Sequence, residues 1–448
     1  MRGLAKGIHQ LSKFNIKHVY ARRIWDSRGR PTVEVDVTLR YGIVGRAAAP
    51  AGASMGSGEA IERRDGSEFL NGLDVKEAIE SVNTEINPAL KGYDTRDQET
   101  IDTIICELDG TQNKSRLGAN ALIATSMAVM NAAAAAEKIP LWQYLGPLLG
   151  HSKGDVLPLP EIQIFGGGAH AARRTDIQDF MVIAIGADSF VKALEWTAEV
   201  YQAAGKIMSE TGRLQGVADE GGFWPVFDSN EEGLDFLVRA IERSGKIPGQ
   251  DIGISLDIAA SEFGSGGAYK LSHDDQVVDS DTLCGKLVDW VERYPIVSIE
   301  DPLSEDDTDG LSRFTWAVGK RVQVVGDDFF VTNAERITTA AQQSVCNAVL
   351  IKPNQAGTIS ETITALHAAE RAGYGSIISA RSGETEDTTV THLGVGWGIK
   401  QIKIGSFARS ERLAKWNEGI RIAETIHRNN KGMLPLDGNL PPRKEFPW

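Results

Sequence analysis

Six positions in the second half of the chain stand at the C-terminal ends of short apolar runs: Asp257, Glu300, Asp327, Lys352, the Ala380-Arg381 pair and Lys403. Their successive separations are 43, 27, 25, 28 and 23 residues, which suit repeated strand–helix units. In parallel barrels the C-terminal rim carries the chemistry, because side chains from different strands converge there. A single acid after a strand is often only a helix N-cap. Six such positions with one uncharged member are harder to dismiss, since a rim of buried charge needs compensation. Asp257, Glu300 and Asp327 together suit a hard, oxygen-preferring dication such as Mg²⁺. No His/Cys cluster offers zinc a better home. Lys352 lies on the next strand. A neighbouring metal and Lys403 could lower its pKa and free a neutral amine as a base. A structural salt bridge to one of the acids is the alternative.

Three further segments carry reactive side chains. Ala218-Asp219-Glu220-Gly221-Gly222-Phe223 fits no regular element and reads either as a loop over a cleft or as a plain turn. Phe165-Gly166-Gly167-Gly168-Ala169-His170 lacks the spacing and the following acid of a dinucleotide fingerprint, and reads as a flexible loop bearing one histidine. Ser379-Ala380-Arg381-Ser382-Gly383-Glu384 places a guanidinium and a hydroxyl beyond a strand. That suits a phosphate clamp, with an Arg–Glu surface network as the alternative. The small-residue stretch Arg46 to Gly58 reads as a mobile loop or a mere connector.

The elements that must hold these residues can be read from periodicity. Thr32–Leu39 alternates at period two, a half-buried strand after the turn Asp26-Ser27-Arg28-Gly29. The Ala-rich stretch Asn120–Lys138 carries Leu122, Ile123, Met127 and Met130 at helical spacing, and Ile139-Pro140 closes it. From about Leu157 short apolar strands alternate with amphipathic helices. The strands are Ile252–Ile258, Ile296–Glu300, Val322–Gly326, Ala348–Ile351, Ser376–Ser379 and Ile402–Ile404. The helices include Ser280–Tyr294, Asn333–Gln343 and Ser360–Ala372. This α/β alternation demands a parallel sheet, long enough to close into a barrel.

Composition narrows the function classes. The 448 residues carry 47 Lys+Arg against 61 Asp+Glu, a formal charge of −14, which argues against nucleic-acid or anionic-membrane partners. Mean hydropathy is −0.21, and no run is expected to reach the roughly 18 apolar residues of a membrane span. Cys106, Cys284 and Cys346 form no CxxC pair, so a reducing cytoplasm is expected. Residues 1–14 lack an apolar signal core and read as a short disordered or docking extension.

Taken together, the motifs resemble the enolase (phosphopyruvate hydratase) family from about Ile24 to Leu413. They are Asp26 to Val35, Gly52-Ala53-Ser54, Asp219 to Phe223, Ser298 to Pro302, Gly326-Asp327-Asp328, Lys352 to Gln355, Arg381 to Asp387 and Ala408 to Leu413. The resemblance implies an N-terminal α+β capping domain over residues 15–150 and an enolase-type (β/α)8 barrel over 151–448, usually in a homodimer and possibly in a higher oligomer. It implies a small phosphorylated acid as substrate, 2-phosphoglycerate dehydrated to phosphoenolpyruvate, with two Mg²⁺ ions, the second arriving with substrate. Carried over by position, Asp257, Glu300 and Asp327 bind the first ion and Ser54 helps to bind the second. Lys352 takes the proton next to the metal-bound carboxylate, and Glu220 helps the hydroxyl leave. His170 and Asp179 belong to the same catalytic network. Gln178, Arg381, Ser382 and Lys403 bind the substrate.

The chain also departs from the family pattern. Ala380 replaces a family histidine, Asp179 replaces a glutamate, and Arg173 and Arg174 crowd the loop after His170. Ala51 and Met55 alter the Ser54 loop. These changes point to altered substrate preference or lower activity. One expectation is that Ala380 leaves space near the phosphate while Arg173 and Arg174 supply the lost positive charge. The alternatives are a paralogue acting on a related phosphonate or phosphorylated hydroxy acid, and a non-catalytic binding protein on the same scaffold.

Overall fold

The computed structural model describes residues 12–150, 156–272, 277–429, 440–441 and 446. Strands β1 (Ile16–Trp25), β2 (Pro31–Leu39) and β3 (Val44–Ala48) form an antiparallel sheet in that order. In β2, Val33, Val35, Val37 and Leu39 point into the core, while Glu34, Asp36 and Thr38 stay half-exposed, as the period-two pattern predicts. Asp26 closes the β1–β2 turn by accepting from the N–H groups of Arg28 and Arg30. Of the expected extension over 1–14, residues 1–11 lie outside the described residues. Phe14 is buried.

Helix α1 (Gln98–Asp109) packs against helix α2 (Ala119–Glu137), and α2 covers one face of this sheet. The Ala-rich composition of α2 permits a close approach. A Cβ on Gly45 of β3 would lie 2.1 Å from the Ala132 nitrogen and 2.3 Å from the Ala128 carbonyl. This helix corrects one expectation, because at 19 residues it is long and apolar enough to cross a membrane by length and composition. Nearly all its residues are buried inside the protein, so it is a core helix.

Eight strands close the barrel. They are β4 (Leu159–Gly166), β5 (Asp179–Ile183), β6 (Gly253–Asp257), β7 (Ile296–Glu300), β8 (Gln323–Gly326), β9 (Ala348–Ile351), β10 (Gly375–Ser379) and β11 (Gln401–Gly405). From β6 through β11 and back to β4 the pairing is parallel, but β5 runs antiparallel to both β4 and β6. A wholly parallel sheet is therefore not what forms. The connection between β4 and β5 holds a single 3-10 turn, Gly168–Ala171, in place of a crossover α-helix, so β5 returns antiparallel to β4. The helices displaced from that position, α3 (Phe190–Glu210) and α4 (Asn230–Arg243), both follow β5. Ser189 and Ser229 cap them through side-chain oxygens.

The barrel interior is layered. At the lower end the Gln323 and Gln401 amides exchange hydrogen bonds of 2.7 and 2.9 Å. Above them lie Val325, Ala348, Leu350 and Ile377, an apolar cluster separate from the main core. The charged rim sits on top. In the first domain, a side chain added at Gly45 meets backbone and has nowhere to move. Gly45→Ala is expected to destabilise that domain by about 1–3 kcal/mol, read as a lowered urea midpoint with the secondary-structure content of the folded state unchanged.

Candidate active site

The reversal of β5 decides which residues share the rim. Asp179 is the first residue of β5, yet it pairs across the sheet with Asp257, the last residue of β6. Asp257 in turn pairs with Glu300 at the end of β7. Three carboxylates from neighbouring strands thus stand level. Lys403 on β11 reaches all three: its Nζ lies 2.8 Å from Asp257 Oδ2, 2.8 Å from Glu300 Oε2 and 3.5 Å from Asp179 Oδ2. Burial pushes the Lys403 ammonium pKa down, but the surrounding carboxylates outweigh it and hold the pKa well above the ordinary lysine value.

Lys352, just past β9, makes an ion pair with Asp327 Oδ2. Gln355 Nε2 donates to Asp327 Oδ1 at 2.8 Å. Burial of the Lys352 amine favours its neutral form, yet Asp327 and Glu300 raise its pKa overall. The lowering anticipated from sequence is not what this arrangement gives. It requires the charge of Asp327 to be engaged by something other than Lys352. The salt-bridge alternative is thus what this structure holds, with the Lys352 amine placed at the rim.

Across the rim, His170 Nδ1 lies 3.0 Å from Asp179 Oδ1, and its Nε2 lies 3.8 Å from Glu220 Oε1. Burial alone would lower the histidine pKa, but Asp179 and Glu220 raise it to about 9. Burial raises the Asp179 pKa, and His170 and Lys403 more than reverse this. Glu220 belongs to a tight turn in which the Gly221 N–H donates to the Ala218 carbonyl at 3.0 Å, and Gly221 has φ +94°. A Cβ on Gly221 would lie 2.3 Å from the Ala408 carbonyl, so the turn is pressed onto the barrel end. The segment is both a turn and a carrier of a buried carboxylate. Gln178 Nε2 donates to Asp257 Oδ2 at 3.2 Å.

Arg381 is buried at 4 % exposure, which excludes a surface network. Its Nη1 and Nη2 donate to the two carboxylate oxygens of Glu59 at 2.9 and 3.1 Å, and Nη2 also donates to the Ser54 carbonyl at 3.0 Å. Ser382 is buried, and Arg28 Nη1 lies 3.3 Å from its Oγ. Arg28 also donates to the Ala51 and Gly52 carbonyls at 3.0 and 3.1 Å, which ties the Ser54 loop to the β1–β2 turn. Ala380 is buried, and its N–H donates to the Lys403 carbonyl at 2.9 Å. Arg173 and Arg174 are exposed, and the Arg173 guanidinium pairs with Glu262 at 2.7 Å. In this structure the Arg173 charge is thus engaged at the surface by Glu262.

Sequence reasoning missed four contributors. Glu59 is one. Asp301 follows Glu300 in the left-handed region (φ +41°), and its two oxygens accept from the Asp327 and Asp328 N–H groups at 2.9 Å each. Gln163 on β4 donates to Asp179 and accepts from the Gly222 N–H at 2.8 Å. Glu161, also on β4, accepts from Ser255 Oγ at 2.8 Å deeper in the barrel. The signal for β4 was hidden because Glu161 and Gln163 face the interior while Ile162 and Ile164 face the helices.

The donor set fits a hard divalent cation. Ligand oxygens of Glu300, Asp301 and Asp327 lie within 4.8 Å of one another. Asp257 Oδ1 and Glu300 Oε1 are buried without a hydrogen-bond partner, an arrangement that is costly unless a cation satisfies them. Burial and then the charge of Asp257 hold the Glu300 carboxyl well above the usual range.

The chain matches two family models, "Enolase, N-terminal domain" over residues 16–145 and "Enolase, C-terminal TIM barrel domain" over residues 154–432. It is 50 % identical over 416 residues to "Enolase 1" of Desulfitobacterium hafniense (strain Y51), covering 92 % of this chain and 94 % of that protein. It is 48 % identical over 411 residues to "Enolase" of Acidothermus cellulolyticus, with the same coverage of each.

The geometry generates two measurable expectations. Mg²⁺ at a hundredfold excess over its Kd is expected to stabilise the fold by about 2.7 kcal/mol, read as a rise in Tm, and Glu300→Gln is expected to lose most of that rise. The charge on His170 stabilises the fold fully below its unfolded pKa of about 6.5. That contribution is lost as pH climbs through about 9. Stability should therefore decline over that window in the parent protein, and more shallowly in His170→Gln.

Proposed function

The chain belongs to the enolase family, and from that premise we propose how its residues carry the reversible dehydration of 2-phosphoglycerate to phosphoenolpyruvate. The observation that carries the mechanism is the opposition of two groups across one rim. Lys352 stands with Asp327 on one side, and Glu220 stands with His170 and Asp179 on the other.

In the dehydration direction, Lys352 Nζ, as the neutral amine, takes the proton next to the substrate carboxylate. The electron pair left behind delocalises into that carboxylate. It then forms the new double bond as the β-hydroxyl leaves as water, with a proton from Glu220. His170, oriented by Asp179, holds the Glu220 side of the site in position. The reversal uses the same groups in the opposite order.

A proton next to a carboxylate is very weakly acidic, so the site must concentrate positive charge where negative charge develops. Lys403 adds to that charge at the substrate carboxylate, with Gln178 beside it. Arg381 and Ser382 hold the phosphate. Asp257, Glu300 and Asp327 would hold one Mg²⁺ and Ser54 would help to hold a second that arrives with substrate. Bound there, the ions would supply positive charge for the developing dianion, and Asp327, engaged as a ligand, would no longer hold Lys352 in its ion pair.

We further infer a cytoplasmic homodimer, a reading supported by three free cysteines and by the exposed aromatic residues Tyr20 and Trp25 on the first sheet.

The test is formation of the enol product from 2-phosphoglycerate, followed by ultraviolet absorbance with and without Mg²⁺. Metal-dependent turnover is expected, and Lys352→Ala should lower kcat by about 10²–10⁴. Absence of turnover in the parent protein with Mg²⁺ bound would move the assignment to a paralogue on another phosphorylated or phosphonate acid. In that case Ala380, where the family has histidine, is the first position to restore.

A further inference from the structure

Glu59 touches more of the rim than the fastening of one loop would require. It sits on the Ser54 loop yet is buried at 8 % exposure, and its carboxylate is shared among partners from three places. Arg381 at the end of β10 contributes both terminal nitrogens, at 2.9 and 3.1 Å. Gln355, beyond β9, donates to Glu59 Oε1 at 3.3 Å with the same amide nitrogen that donates to Asp327. The Gly56 N–H of the loop itself donates to Glu59 Oε1 at 3.1 Å. Gln355 is fixed in turn by the Thr332 hydroxyl at 2.7 Å, and that hydroxyl also accepts from the Lys352 N–H at 2.9 Å.

The loop can form these contacts only when it is seated. A Cβ on Gly52 would lie 2.0 Å from Arg381 Nη2, and one on Gly56 would lie 2.5 Å from Val331 Cγ1 and 3.0 Å from the Asp328 carbonyl. Glu305, beyond β7, takes the Ser57 N–H at 3.1 Å and the Ser57 hydroxyl at 3.0 Å. Two carboxylates therefore fasten the loop, and only Glu59 does so through the arginine.

We infer that Glu59 is a positioning residue that couples closure of the Ser54 loop to the orientation of Arg381. Closure brings a carboxylate end-on to the guanidinium and holds its plane, leaving the remaining N–H donors of Arg381 for phosphate oxygens. With the loop open, Arg381 keeps its charge but loses that orientation. The pair is bidentate and charge-assisted, which a glutamine at position 59 cannot reproduce. The inference rests on the reading of Arg381 as the phosphate contact.

The experiment compares Glu59→Gln, Glu59→Asp, Arg381→Lys and the Glu59→Gln/Arg381→Lys double variant by steady-state turnover of 2-phosphoglycerate and by amide hydrogen exchange. Glu59→Gln is expected to lower kcat by about tenfold or more with a much smaller change in KM. The Gly56 amide should exchange about tenfold faster, and Glu59→Asp should recover part of both effects. In the Arg381→Lys background Glu59→Gln should cost little more, because a residue that acts through the arginine is non-additive with it.

Unchanged kcat, an unchanged Gly56 exchange rate, or fully additive losses in the double variant would overturn the inference. If Glu59→Gln does not fold, Glu59→Asp carries the same readings with smaller expected effects and the same overturning results. If the parent protein does not turn over 2-phosphoglycerate, the functional reading fails by itself. The coupling is then decided by whether Arg381→Lys alone speeds Gly56 exchange.

Discussion

Burying like charges together at the mouth of a barrel is the constraint on which the rest of this structure depends. Asp179, Asp257, Glu300, Asp301 and Asp327 are all buried within one region of low dielectric. Unpaired, such charges would shift toward neutrality or force the site apart. The protein answers with two buried lysines, a buried arginine and a buried histidine placed among them. The compensation is incomplete, as the unpartnered oxygens of Asp257 and Glu300 show. That remainder of uncompensated charge suits the site for a dication and for a reaction whose difficulty is the build-up of negative charge.

The rim is not assembled by the barrel alone. The β1–β2 turn supplies Arg28, which holds the Ala51 and Gly52 carbonyls beside Ser382. The loop after β3 supplies Ser54 and Glu59. Glycines at 52 and 56 allow that loop to lie against the barrel where any side chain would collide. The first domain is thus a working part of the site. The tight packing of α2 on β3 serves function indirectly by fixing the loop that β3 leads into.

Much of this was legible in the sequence because a parallel barrel puts function at strand C-termini. The ends of the apolar runs mark Asp257, Glu300, Asp327, Lys352, Arg381 and Lys403 without any structure. The same rule hid Asp179, since a strand that runs backwards brings its first residue to the rim. It also hid β4, whose interior face is polar. Glu59 could not be found this way, because its partners lie about 300 residues away in the chain and no local pattern encodes such a contact. The lowering expected for Lys352 depends on a metal beside it, and without one the pairing with Asp327 raises its pKa. Sequence shows that a lysine ends a strand, but only geometry shows that Asp327 is its nearest partner.

The central claim is a division of labour, with Lys352 taking the proton and Glu220 serving the leaving hydroxyl. The most direct test is loss of the proton next to the carboxylate of 2-phosphoglycerate into deuterated water, followed by NMR in Glu220→Gln and in Lys352→Ala with Mg²⁺ present. The account predicts that Glu220→Gln still exchanges this proton while forming almost no phosphoenolpyruvate, and that Lys352→Ala does neither. Exchange that persists in Lys352→Ala and vanishes in Glu220→Gln would contradict it and reverse the two roles.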